Sequence, residues 1–163
     1  MSDNNNQAVV PEVLDGWAVL HQIFSVDWPR WNAVAADEKA AMVAGAAGFF
    51  DKIAGAEDGE SAVFSLLGHK GDLLFLNFKN TLDELNEVEL GFKRLPIYSY
   101  LQETTSYLSF LELGLYEMTI KFHGELIAEG LKPGSDDWKA RWSAEMADQR
   151  ERMIGRLFME IPD

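Results

Sequence analysis

Within Ser61–Phe78, two apolar runs rich in Val, Phe and Leu flank the polar segment Gly68-His69-Lys70-Gly71, which is the pattern of a β-hairpin. Side chains alternate along a strand, so Leu73, Phe75 and Asn77 share one face and Asp72, Leu74, Leu76 and Phe78 the other. Both faces are largely apolar. Such a strand belongs in a sheet covered on both sides, so helices over one face leave a second face that needs a partner.

The rest of the chain supplies the other elements. Trp17–Phe24 alternates Trp17, Val19, His21 and Ile23 against Ala18, Leu20, Gln22 and Phe24, a first strand that is also apolar on both sides. Asp27-Trp28-Pro29 predicts a helix start, with a capping carboxylate followed by a proline that costs no hydrogen bond in the first turn. That helix is expected to reach about Ala54, with Trp31, Val34, Ala41 or Met42, Phe49 and Ile53 as an approximate stripe. Gly45 and Gly48 weaken it by about 1 kcal/mol each and read as close packing on the sheet. Thr81-Leu82-Asp83-Glu84 is a capping box opening a second helix, whose buried side is read as Leu82, Leu85, Val88 or Glu89, and Phe92. Pro96 ends it, and Thr104–Leu113 forms a fourth strand of period two.

The order β, α, β, β, α, β is that of an α+β, ferredoxin-like sandwich with four antiparallel strands and two helices on one face. After Gly114 the pattern changes to helices over Tyr116–Ile127 and Asp137–Phe158, separated by a Gly130–Ser135 turn, with Ser135 or Asp136 as the second cap. Residues 1–12 are expected to be a mobile lead-in, 13–116 the ferredoxin-like domain and 117–163 a helical connector. Met159–Asp163 carries no capping glycine or amphipathic finish, so an interrupted, longer chain is expected.

Composition limits the partners. A formal net charge of -13 argues against a nucleic-acid backbone, whose binders present a basic face, and against an anionic membrane surface. There are no cysteines, hence no disulfides, thiolate nucleophiles or Cys-ligated metals. The opening MSDNNNQ lacks the basic end and apolar core of a signal peptide, which predicts a cytoplasmic protein. His21, His69 and His123 show no metal-site spacing, and the acidic Asp83, Glu84, Glu87 and Glu89 read as the solvated side of a helix. Phosphate-binding and nucleophile-elbow glycine motifs are absent. Tyr116 stands apart just beyond the fourth strand. Composition and spacing by themselves name no reaction.

Several segments resemble one family in order and spacing over Val13–Tyr116. They are Leu14-Asp15-Gly16-Trp17 with Leu20-His21, Ser25, Asp27-Trp28 and Trp31; Ser65-Leu66-Leu67-Gly68-His69-Lys70 with Asp72-Leu73 and Phe75; Leu82 with Glu84-Leu85-Asn86-Glu87-Val88-Glu89; and Tyr98-Ser99-Tyr100 or Tyr107 followed by Glu112-Leu113. Together they look like the coproheme decarboxylases, the haem-synthesis branch of the chlorite dismutase family. The resemblance implies two ferredoxin-like halves per subunit with their sheets face to face, commonly assembled as pentamers. It also implies haem or coproporphyrin iron in the second half, held by an axial histidine, and a radical-bearing tyrosine in a Tyr-Pro-Met segment for peroxide-driven decarboxylation.

Neither that tyrosine motif nor that histidine is present here, so this chain alone is expected neither to decarboxylate nor to hold haem tightly. Two cofactor-binding residues carry over from the family. The Glu-Leu-x-x-Tyr tyrosine matches Glu112-Leu113-Gly114-Leu115-Tyr116, and the arginine before Leu-Tyr or Leu-Phe matches Arg156-Leu157-Phe158. Both would bind porphyrin propionates, a phenol by donation and a guanidinium bidentately. Arg156 reads equally well as a surface helix residue. Met159 stands where the family has a proline, and the link Glu117–Arg150 is longer and more helical than usual. The expected partners are a missing carboxy-terminal half and copies of the chain. The alternatives are a non-catalytic ferredoxin-like module that covers its sheet by dimerising, and half of a chlorite-degrading enzyme.

Overall fold

The computed structural model describes residues 10–158, so most of the expected lead-in and the Met159–Asp163 segment lie outside the described residues. The elements run β1 (Val13–Val26), α1 (Trp28–Ala33), α2 (Ala36–Ala54), β2 (Gly59–Ser65), β3 (Leu73–Lys79), α3 (Leu82–Lys93), a 3-10 turn (Pro96–Tyr100), β4 (Leu101–Gly114), α4 (Tyr116–Ala128) and α5 (Asp136–Leu157). They form two compact units, residues 17–111 and residues 10–16 with 112–158.

In the unit of residues 17–111 the strands lie in the order β2-β3-β1-β4, with β1 and β2 both antiparallel to β3. This is the ferredoxin-like arrangement expected from the element order. Gln22 opposite Phe75 and Phe75 opposite Val63 fix the register. The face carrying Phe24 and Phe75 packs on α2 and α3 through Phe50, Ile53, Val88 and Phe92. Phe24 is fully buried and meets Phe75, Phe92 and Tyr98 edge-on at centroid distances of 5.4, 5.7 and 5.8 Å. Such pairs add about 1 kcal/mol each beyond the area they bury.

Five local expectations change. Gly45 and Gly48 do not mark close packing on the sheet: both are exposed, with nothing within 4 Å of where a β-carbon would stand. The single helix over 28–54 is two, because Val34 and Ala35 are extended and Val34 N–H turns back to the Trp31 carbonyl. The side chains of α1 are pinned to the 3-10 turn, with Arg30 donating to the Ser99 carbonyl at 3.0 Å and Trp31 edge-on to Tyr100 at 5.4 Å. A tertiary tie of this kind leaves no mark in the periodicity. The capping box of α3 forms as read, with Thr81 and Glu84 bonded reciprocally, but Leu82 is 47% exposed and only Leu85, Val88 and Phe92 are buried. The hairpin turn is wider than the four-residue segment read from sequence, because β2 ends at Ser65 and Leu66 N–H bonds to Asp72 across the loop, leaving Leu67 in solvent. β4 is longer than expected and its alternation slips once, since Leu101 packs on the helix side and Tyr107 stacks on His21 of the other.

The face opposite the helices is apolar but unevenly exposed. Val19, Ile23 and Phe78 are buried, while Phe64 on β2 is 43% and Tyr107 on β4 is 54% exposed. His21 lies on this face, its Nε2 2.9 Å from Ser109 Oγ and its ring stacked on Tyr107 at 4.2 Å. The helix side holds a polar strip instead. Gln22 Nε2 reaches Glu89 at 3.5 Å, Lys93 bonds the same carboxylate at 2.7 Å, and Ser61 donates to Asn77 at 2.9 Å. Glu89 is therefore more than part of a solvated helix side: it accepts from the side-chain N–H of a buried glutamine.

Truncating Phe92→Ala removes four aromatic contacts from a site 1% exposed and should cost about 3–5 kcal/mol, read as a lower urea midpoint at unchanged slope. Burial also lowers the pKa of His21 below its usual 6.5. Stability from the neutral imidazole is thus complete above pH 6.5 and lost as pH falls through the lowered folded value. An NMR titration of His21 should show that acid shift, and a His21→Gln variant should lose less stability than the parent between pH 7 and 5.

Candidate functional site

In the unit of residues 10–16 and 112–158, two connections fix where α4 and α5 present their ends. At the start of α4, Leu115 N–H donates to the Glu12 carbonyl at 2.9 Å, Glu12 N–H donates to Thr119 Oγ1 at 3.1 Å, and Thr119 is fully buried. The Glu12 carboxylate accepts from Trp142 Nε1 of α5 at 2.9 Å. At the other end of α5, Leu157 is fully buried and its backbone fills the space beside Gly16, where a β-carbon would lie 2.9 Å from the Leu157 Cα. Phe122 and Leu126 of α4 with Trp138 of α5 form the small core between the helices.

These anchors bring Tyr116, the first residue of α4, and Arg156, in the last turn of α5, to one open cavity of about 540 Å³. Gly114, Met118 and Met153 also line it, with the Glu117 carboxylate. Both residues picked from sequence are thus together, although they lie far apart in the chain. Tyr116 is 60% exposed and makes no hydrogen bond among the described residues. Its ring lies over Gly114, where a β-carbon would fall 2.9 Å from Cδ2 and 3.3 Å from Cζ. The glycine backbone therefore holds the ring by contact alone. Arg156 makes no ion pair among the described residues, and its Nη1 lies 3.8 Å from Met153 Sδ.

A guanidinium and a phenol with no carboxylate partner among the described residues, set beside two thioethers, suit the carboxylate edge of an otherwise apolar ligand, against the repulsion of Glu117. None of the three histidines lines this cavity. His123 packs edge-on to Trp138, His21 bonds Ser109, and His69 sits in the exposed β2–β3 loop. The residues present fit a porphyrin's propionates and provide no axial imidazole at this cavity. Sequence reasoning misses Gly114 and Met153. A glycine next to a strand end is a weak signal, because its role depends on where the following ring falls.

The fold defines an α+β protein of ferredoxin-like topology, and its helical unit sets Tyr116 and Arg156 on one cavity. The chlorite dismutase family model matches residues 39–153, and the chain belongs to that family. Its relatives include a Halobacterium salinarum protein named for heme binding, 37% identical over 112 residues, which are 67% of this chain and 23% of that one. The coproheme decarboxylase of Staphylococcus carnosus is 37% identical over 108 residues, 64% of this chain and 43% of the enzyme. Among solved structures, a heme-binding protein from Thermus thermophilus superposes with a TM-score of 0.62 at 29% identity, over 80% of this chain and 50% of that one. A chlorite dismutase from Candidatus Nitrospira defluvii, at 17% identity and a TM-score of 0.53 over 60% of this chain and 40% of that one, shares the fold. The chain spans between 23% and 43% of the length of these curated relatives.

Contact between Gly114 and the Tyr116 ring has a direct signature. The Gly114 α-protons should be shifted by the ring current and return to ordinary values in Tyr116→Leu, whereas Gly114→Ala should swing the ring away without altering the helix. Ordinary Gly114 shifts in the unsubstituted chain would show that the ring does not rest there.

Proposed function

We propose that the cavity holding Tyr116 and Arg156 grips propionates of haem or coproporphyrin iron, as part of a peroxide-dependent coproheme decarboxylase-like protein of haem biosynthesis. The observation that carries this reading is the convergence on one cavity of two carboxylate-seeking side chains that have no carboxylate partner among the described residues. Family membership and the names of the relatives support it. The bound group would supply the redox chemistry. This chain's residues would orient it: Arg156 through paired N–H donors, Tyr116 through its hydroxyl, and the methionines by excluding water from the ring edge. In this reading the ferredoxin-like unit contributes the scaffold and oligomer contacts, a second ferredoxin-like half carries the axial histidine, and the protein works in the cytoplasm. The acidic, cysteine-free composition is consistent with that location.

A second reading is an assembly module whose apolar sheet face pairs with a copy of itself, or with the sheet of another ferredoxin-like half. Exposed Phe64 and Tyr107 on the face away from the helices favour such a contact. The match to a coproheme decarboxylase at 37% identity supports a decarboxylase over a chlorite-degrading protein, for which the neighbours at 17% speak to fold alone.

Titrating coproporphyrin iron into the chain mixed with a second ferredoxin-like half should move the Soret band saturably. Tyr116→Phe and Arg156→Gln should each weaken binding by about tenfold or more, the loss expected for a hydrogen bond to a charged group. An esterified porphyrin should bind no better to the parent than to Arg156→Gln. Equal affinity of free acid and ester in the parent would overturn the proposed grip, and a concentration-dependent dimer with no spectral change would favour the assembly module.

A further inference from the structure

The unit of residues 17–111 contains a second cavity, of about 280 Å³, where α1, the β2–β3 loop and the 3-10 turn meet. Three aromatic residues line it, Trp28, Trp31 and Tyr100, together with aliphatic side chains and the carboxylate of Asp72. We infer that this cavity is a binding site for a small organic ammonium ion, whose charge would be held by Asp72 and the aromatic rings and whose alkyl groups would rest on Val26 and Leu73.

Asp72 is the first reason. It is only half exposed, and its backbone and side chain are both fixed: its N–H donates to the Phe24 carbonyl at 2.7 Å and its Oδ2 accepts from Val26 N–H at 2.7 Å. Among the described residues it makes no ion pair. With Oδ2 bonded to the backbone, Oδ1 makes no hydrogen bond among the described residues, so one oxygen of a fixed carboxylate is left for a cation in a cavity lined mostly by apolar groups. The second reason is that the rings already take cations. Arg30 lies 5.2 Å from the Tyr100 centroid and Lys39 Nζ lies 5.9 Å from that of Trp31. Neither basic side chain lines the cavity, and each is tethered elsewhere, Arg30 to the Ser99 carbonyl and Lys39 to that of Asn32.

The lining also separates ligand classes. A bare Ca²⁺ needs at least six oxygen ligands and a Mg²⁺ near-octahedral ones, which one carboxylate among indoles and aliphatic groups does not supply. A neutral apolar guest would fill the space but leave Asp72 unpaired. An alkylammonium satisfies both, with methyl groups on the aliphatic floor and its charge against π faces and carboxylate. The volume lies just below the usual range for ligand pockets, which favours a compact ion.

The test uses the whole chain, with choline and its uncharged isostere 3,3-dimethylbutan-1-ol as probes and equal sodium chloride as control. By ¹H–¹⁵N NMR, choline should shift the indole N–H signals of Trp28 and Trp31 saturably, while those of Trp138 and Trp142 stay in place. The isostere should bind about tenfold more weakly, the upper part of the range for a desolvated cation–π contact. Asp72→Asn keeps an acceptor for Val26 N–H and removes the charge, so choline should lose a similar factor while the remaining amide spectrum is unchanged. Equal binding of choline and the isostere would show a merely apolar cavity and overturn the inference. So would the absence of any saturable shift at concentrations of order 10 mM, which is weaker than a specific site of this size should be.

Discussion

Edge-to-face contact of Phe24 with Phe75, Phe92 and Tyr98 is the interaction on which the 17–111 unit depends. Phe24 comes from a central strand, Phe75 from its neighbour, Phe92 from the end of α3 and Tyr98 from the 3-10 turn. A single fully buried ring therefore ties the sheet to a helix and to the turn that follows it. Ring packing of this kind has preferred angles as well as area, so it specifies how the helix layer sits on the sheet instead of only favouring collapse. The Pro96–Tyr100 turn then holds α1 through Arg30 and Trp31, and the aromatic cavity exists because that short helix is folded back onto it.

Polar groups in this core are few and each has consequences. Gln22 and Asn77 are both 1% exposed on the helix side of the sheet, positions where apolar residues would be expected. Gln22 is met by Glu89 and Asn77 by Ser61, while Gln22 Oε1 and Asn77 Nδ2 have no partner among the described residues. The Glu89 carboxylate in turn holds the Lys93 ammonium charged, raising its pKa. Buried amides contribute little net stability, yet leaving them unmatched is costly, so they discriminate between correct and shifted strand pairings. In the other unit the same logic places the cavity residues. Glu12 satisfies groups on both α4 and α5 and so sets where Tyr116 and Arg156 emerge.

Much of this could be read from residue order. The strand around Phe75, the Thr81–Glu84 capping box and the βαββαβ order all follow from alternation, capping chemistry and turn residues, which act over a few neighbouring positions. The break between α1 and α2 could not be read that way, because Val34, Ala35 and Ala36 are all compatible with a helix and the interruption comes from a distant turn. Spacing assigns Leu82 to the buried side of its helix, but a first-turn residue lies at the rim of the packed layer and stays half wet.

For the candidate site, sequence alone determined which side chains had suitable chemistry: a tyrosine just past a strand and an arginine near a helix end, picked out by their match to a family pattern. Local patterns cannot say whether two such residues meet. Only the tertiary structure put Tyr116 and Arg156 on one cavity, laid the tyrosine ring over Gly114, and set Asp72, which makes no ion pair among the described residues, on one cavity with three aromatic residues. Those arrangements are set by contacts between residues remote along the chain, whereas strand alternation and helix caps are set by neighbours, and that difference in range is why one was legible and the other was not.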